Sequence, residues 1–150
     1  MAEGAGLIAI AEKVLSRSGF DRLLGAEIDQ LSPGRCRLTL SRLDHLTNPA
    51  GFLHGAASAG LLDIAMGLAV LAELGFGDLH ATTAEMELKF LNPADRSSLP
   101  LSAWGEVVRK GSRLLFTRGE VLDREGRVVA SSTAIYAPTP GLQGPSQEEG

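Results

Sequence analysis

A chain of 150 residues has room for one domain with a core of its own, and not for two. With 44% apolar and 21% charged residues it has the make-up of an ordinary soluble globular domain, and a formal net charge of −4 gives it no pull toward nucleic acid. Its one cysteine, Cys36, excludes an intrachain disulfide; between Arg35 and Arg37 in a strand-like run, it reads as a small packing residue.

The pattern from Glu3 to Ser18, with Leu7, Ile8, Ile10, Ala11, Val14 and Leu15 at roughly helical spacing on one face, predicts a helix that Gly19 stops. The first residues, Met1 to Ala11, carry no basic n-region, so a secretory signal is not expected and a cytoplasmic location is. Strands are predicted over Gly25–Gln30 and Arg35–Ser41, around the turn Ser32-Pro33-Gly34, with a loop over Arg42–Leu53. Gly55–Leu74 is apolar on nearly every face, and such a helix must be wrapped on all sides. It carries Asp63 and Glu73 and is rich in Ala and Gly, which fits a protein interior better than a membrane.

Four strand-like runs follow, Thr82–Leu91, Leu99–Val108, Arg113–Asp123 and Arg127–Ala137. In the first, Thr82, Ala84, Met86, Leu88 and Phe90 alternate with Thr83, Glu85, Glu87 and Lys89, the period of a half-buried strand. Turns at Lys110-Gly111 and Asp123–Gly126 make the later runs antiparallel neighbours. An α+β architecture follows, a long central helix wrapped by one curved antiparallel sheet. The domain is expected to span residues 1–138, and the Pro-, Gly- and Glu-rich segment 139–150 to lack structure.

Asp63 stands out chemically. Its neighbours one helical turn away are Ala59, Gly60, Met66 and Gly67, so an ionised carboxylate there needs either a hydrogen-bonding partner or a purpose. The second feature is the stretch Asn48 to Gly55, which leads into the N-terminus of the same helix. Free backbone N–H groups and the helix dipole there favour a developing oxyanion, although a glycine-rich helix entry needs no such role. His54, at that helix start, fits either a structural role or contact with a substrate. His45 and His80 have no partners at metal-ligand spacing, so no metal is expected.

The spacing N-x-x-G-x-x-H-G-x-x-x-x-x-L-x-D, carried by Asn48, Gly51, His54, Gly55, Leu61 and Asp63, resembles the signature of the PaaI-like hotdog thioesterases. The run Glu85–Ala94 is similar to that family's central strand, and Val107–Arg113 and Asp123–Ala130 to its later hairpins; the resemblance extends from Asn48 to Tyr136. It implies the hotdog fold and hydrolysis of acyl-CoA thioesters, often aryl or medium-chain, without a cofactor. It makes Asp63 the general base or nucleophile, the Gly55 N–H the oxyanion donor, Asn48 a positioning residue and Thr83 an assistant to the attacking water. The family's usual His-Gly-Gly stands here as His54-Gly55-Ala56, and the extra methyl is expected to narrow the helix start.

Gly55 and Asp63 lie eight residues apart on one helix, about 12 Å along its axis, whereas reacting groups meet at roughly 3 to 3.5 Å. Two chains are therefore expected to share each site, in line with the family's edge-to-edge dimers, commonly assembled as tetramers. Arg109, Lys110 and Arg113, around one hairpin, are candidates for the CoA phosphates, with a solvated turn as the plainer reading. The alternatives are a non-catalytic acyl-CoA-binding protein and, further off, a hydroxyacyl thioester dehydratase.

Overall fold

Helix α3, Gly55–Leu74, is the axis of the fold. His54 caps its start, its Nδ1 accepting the Ala56 N–H at 3.0 Å, and Gly75 ends it in the left-handed region at φ 79°. By length and composition it could cross a membrane, but here it forms the core, with Leu61, Leu62, Ala65, Met66, Ala69 and Val70 all buried. Each such leucine contributes roughly 1.5–3 kcal/mol.

The computed structural model describes residues 2–141. Ahead of α3 lie helix α1 (Ala2–Ser16), helix α2 (Gly19–Leu24) and the hairpin of β1 (Glu27–Ser32) and β2 (Arg35–Leu40); after it come β3 (Leu79–Phe90), β4 (Leu101–Lys110), β5 (Leu115–Leu122) and β6 (Val128–Pro140). The six strands form one antiparallel sheet in the order β1-β2-β4-β5-β6-β3, which wraps α3. This is the helix-in-sheet hotdog arrangement expected from the sequence.

Close wrapping depends on two glycines paired across β4 and β5. A Cβ at Gly105 would sit 2.6 Å from the Met66 backbone N, and one at Gly119 would sit 2.4 Å from the Trp104 carbonyl oxygen. A side chain at Gly105 would push β4 off the helix, and one at Gly119 would break the close approach of β5 to β4. Cys36 is buried in β2, and burial pushes its thiol up to about 12, so it packs rather than reacts.

Three expectations need correction. Gly19 does not merely stop a helix: α1 ends at Ser16, and Gly19 opens α2, with Ser18 Oγ accepting the Asp21 N–H at 3.2 Å and Gly25 closing it at φ 66°. In β3 the alternation does not run through. A bulge between Thr83 and Glu85 flips the phase, so Met86 and Leu88 turn inward along with Ala81 and Thr83, while Thr82 and Ala84 are exposed. Phe90, at the strand's end, is 60% exposed. Finally, β6 continues through Thr139 and Pro140, paired with His80 and Leu79; the rest of the segment expected to lack structure, from residue 142, lies outside the described residues.

Candidate active site

Asp63, on the third turn of α3, is held from the sheet. Its Oδ1 accepts hydrogen bonds from Thr83 Oγ1 at 2.6 Å and from the Tyr136 hydroxyl at 2.7 Å, and the same hydroxyl lies 3.0 Å from the Asp63 carbonyl oxygen. None of the described residues hydrogen-bonds Oδ2. The bulge in β3 is what turns Thr83 inward, and register sets Tyr136 opposite it on β6. Tyr136 is 1% exposed, and burial first, then the charge of Asp63, holds its phenol well above its usual range, so it stays a donor.

Tyr136 was not singled out from the sequence. The available signal was a lone tyrosine in a strand of small residues, whose buried hydroxyl must find a partner. Asp21 was missed too, because α2 was not foreseen. It shares with Asp63 a cleft of about 750 Å³ bounded by α1, α3 and the start of β3. Burial, together with the charge of Asp63, raises its carboxyl above the ordinary aspartate value, and a Ser18 hydrogen bond opposes the rise.

At the start of α3 the amides of Ala56, Ala57 and Ser58 are all satisfied, by His54 Nδ1 and by the His54 carbonyl. Among the described residues the Gly55 N–H has no acceptor, which leaves one donor at the positive end of the helix. It borders a hollow of about 400 Å³ lined by Asn48, Phe52, Ser58 and Phe90 among others, and the Phe90 ring lies where a Gly55 Cβ would meet it at 3.3 Å.

Asn48 reaches this hollow, with its Oδ1 spent on the amides of Ala50 and Phe52, so it shapes the loop before the helix. His54 is likewise occupied at Nδ1, leaving Nε2 as its outward polar atom. Ala56 is exposed.

Within one chain the expected residues fall into separate groups. Asp63 and Thr83 meet directly; Gly55 and Asn48 border a different hollow at the helix start, about 12 Å away along α3, where His54 is the cap but does not line the hollow. Arg109, Lys110 and Arg113 border neither hollow. Lys110 faces Glu73 at 3.7 Å, while Arg109 and Arg113 are exposed.

This fold recurs in known proteins. A thioesterase-family protein from Silicibacter pomeroyi, known from its crystal structure, is 30% identical with a TM-score of 0.79, over 87% of this chain and 96% of that one. A Saccharolobus solfataricus protein provisionally named an esterase is 29% identical over 115 residues, covering 77% of this chain and 79% of its own length. A Streptococcus pneumoniae protein, named a hypothetical thioesterase and crystallised with coenzyme A, shares the fold at 24% identity and a TM-score of 0.68, over 77% of this chain and 89% of that one. The profile of the thioesterase superfamily matches residues 50–130, more than half of the sequence, and the chain belongs to that superfamily.

Proposed function

We propose that the protein is an acyl-CoA thioesterase whose working unit is a homodimer, with Gly55 of one chain and Asp63 of the other serving each site. The observation that carries this reading is the pairing of an oriented carboxylate with an unsatisfied N–H on one helix, too far apart to act together within a chain. The S. pneumoniae relative crystallised with coenzyme A supports the CoA part of the substrate.

The chemistry is short. The thioester carbonyl oxygen accepts the Gly55 N–H, which favours the negative charge that oxygen gains on attack. Asp63 either removes a proton from a water whose oxygen bonds to the carbonyl carbon, or forms that C–O bond itself and yields a mixed anhydride that water then opens. Either way the C–S bond breaks, the electron pair leaves with the CoA sulfur, and the thiolate takes up a proton. Thr83 and Tyr136 hold the carboxylate so that Oδ2 faces the reacting carbon or water.

Dimerisation fits what the sheet leaves open. β3 is an edge strand of 12 residues without proline, and an uncovered edge of this kind is a template for a second chain. Phe52, Phe90 and Leu91 add exposed apolar surface beside Gly55, 37%, 60% and 54% exposed. Pairing along β3 would bring one chain's helix start toward the other's Asp63, and a dimer of such dimers is the assembly the reading extends to. Arg109 and Arg113, without an acidic partner among the described residues, offer cations for the CoA phosphates.

Thiol release from a panel of acyl-CoAs tests the activity. Turnover supports the reading. Binding without turnover would make the protein an acyl-CoA-binding module, and loss of water from hydroxyacyl-CoA would make it a dehydratase.

A further inference from the structure

Helix α3 carries two glycines seven residues apart, and so on one face, with opposite surroundings. At Gly60 the space is filled by protein: a Cβ would lie 2.8 Å from the Phe20 ring and 2.9 Å from Leu24, so glycine there lets α2 seat against α3. At Gly67 none of the described residues fills it. A Cβ would make one ordinary contact, 3.6 Å to the Tyr136 ring, and otherwise face the cleft. Glycine weakens a helix interior, and packing gives no reason for it at this position.

The cleft explains it. From α3 it takes Asp63, Ile64, Gly67, Leu68 and Leu71, a single stripe that begins at the carboxylate. Val14 and Leu15 of α1 and Leu79 and Ala81 of β3 form the facing walls. Three carboxylates, Asp21, Asp63 and Asp78, line the space against one guanidinium, Arg17, and His80, so the charge balance disfavours an anionic acyl group, whereas the apolar walls suit hydrocarbon. From Asp63 to Leu71 is about 12 Å along the helix, the reach of a medium-length acyl chain.

We infer that this cleft receives the acyl chain of the substrate and that Gly67, midway along it, sets how long a chain is accepted. The inference rests on the thioesterase reading and gives it a substrate class, thioesters of neutral, apolar, medium-length acids. A side chain at position 67 shortens the cleft; its Cβ would meet the Tyr136 ring at 3.6 Å, one helical turn from Asp63. The readout is therefore a ratio between two substrates, both of which a change in the hold on the carboxylate would slow alike.

The test is the ratio of kcat/KM for octanoyl-CoA to that for butyryl-CoA, in the wild-type protein and in Gly67→Leu. Each buried methylene is worth about fourfold, so the wild-type ratio should be high and Gly67→Leu should lower it at least tenfold. Gly67→Ala should move it in the same direction by less, which covers the case in which the leucine variant does not fold. The same comparison by calorimetry, on chains that also carry Asp63→Asn, reads acyl-CoA binding without turnover. A ratio indifferent to position 67 in both measurements overturns the inference. Turnover with such an indifferent ratio leaves the thioesterase reading standing alone. Length-dependent binding that Gly67→Leu abolishes, in a protein with no turnover, keeps the acyl site and removes the thioesterase.

Discussion

Thr83 and Tyr136 face each other across β3 and β6 and donate to the same oxygen, Oδ1 of Asp63, at 2.6 and 2.7 Å. Two donors on one oxygen fix the carboxylate plane and leave Oδ2 outside their network. If orientation is their role, each can partly cover for the other. Tyr136→Phe and Thr83→Ala should each lower kcat by about tenfold with KM little changed, and the double variant should lose more than the product of the two. Steady-state kinetics on the four chains of the cycle decides it; strict additivity would mean that the hydroxyls act independently.

Asp63→Asn preserves shape and both hydrogen bonds to the side-chain oxygen. It should leave the melting temperature nearly unchanged and reduce turnover by roughly a hundredfold or more, the scale of losing a general base. Near wild-type thiol release from any good acyl-CoA would remove Asp63 from the mechanism.

Shared sites make a sharper claim. A chain with Asp63→Asn and a chain with Gly55→Val should each be inactive, the second because the new side chain meets Phe90 and crowds the free N–H. Refolded together and paired at random, they should recover about a quarter of wild-type activity, since half the dimers are mixed and half of their sites are whole. Co-purification of differently tagged chains verifies the exchange. Mixed dimers without activity would place both groups in one chain's site.

The β5–β6 turn should contribute to acid sensitivity. Asp123 accepts the backbone N–H groups of Arg127 and Glu125 and faces the Arg127 guanidinium, which together hold its carboxyl below the ordinary aspartate range. Its folded-state pKa therefore lies below the unfolded value of 3.8, and the stability it contributes is present above that pH and fades as pH falls toward the folded value. Asp123→Asn should lower the melting temperature at neutral pH and flatten its fall in acid, read by thermal melts across a pH series. An unchanged acid slope would assign that loss to other carboxylates.

Much of the protein was set locally. The all-round apolar composition of Gly55–Leu74 dictates a wrapped helix, the turn residues at Pro33-Gly34 and Asp123–Gly126 dictate hairpins, and Asp63 is conspicuous because its helical neighbours cannot solvate it. The motif from Asn48 to Asp63 carried the family. What the tertiary structure decided depends on groups far apart in sequence. The bulge at β3 reversed the face of Thr83, a shift that residue periodicity cannot anticipate because a bulge is set by what packs on each side of the strand. The pairing of β3 with β6 rather than β4 put Tyr136, 73 residues from Asp63, against its carboxylate. His54 became a cap because its Nδ1 lies on the Ala56 amide, and Gly67 acquired meaning only once a cleft lay over it, since open space is a property of the packed chain and not of any single segment.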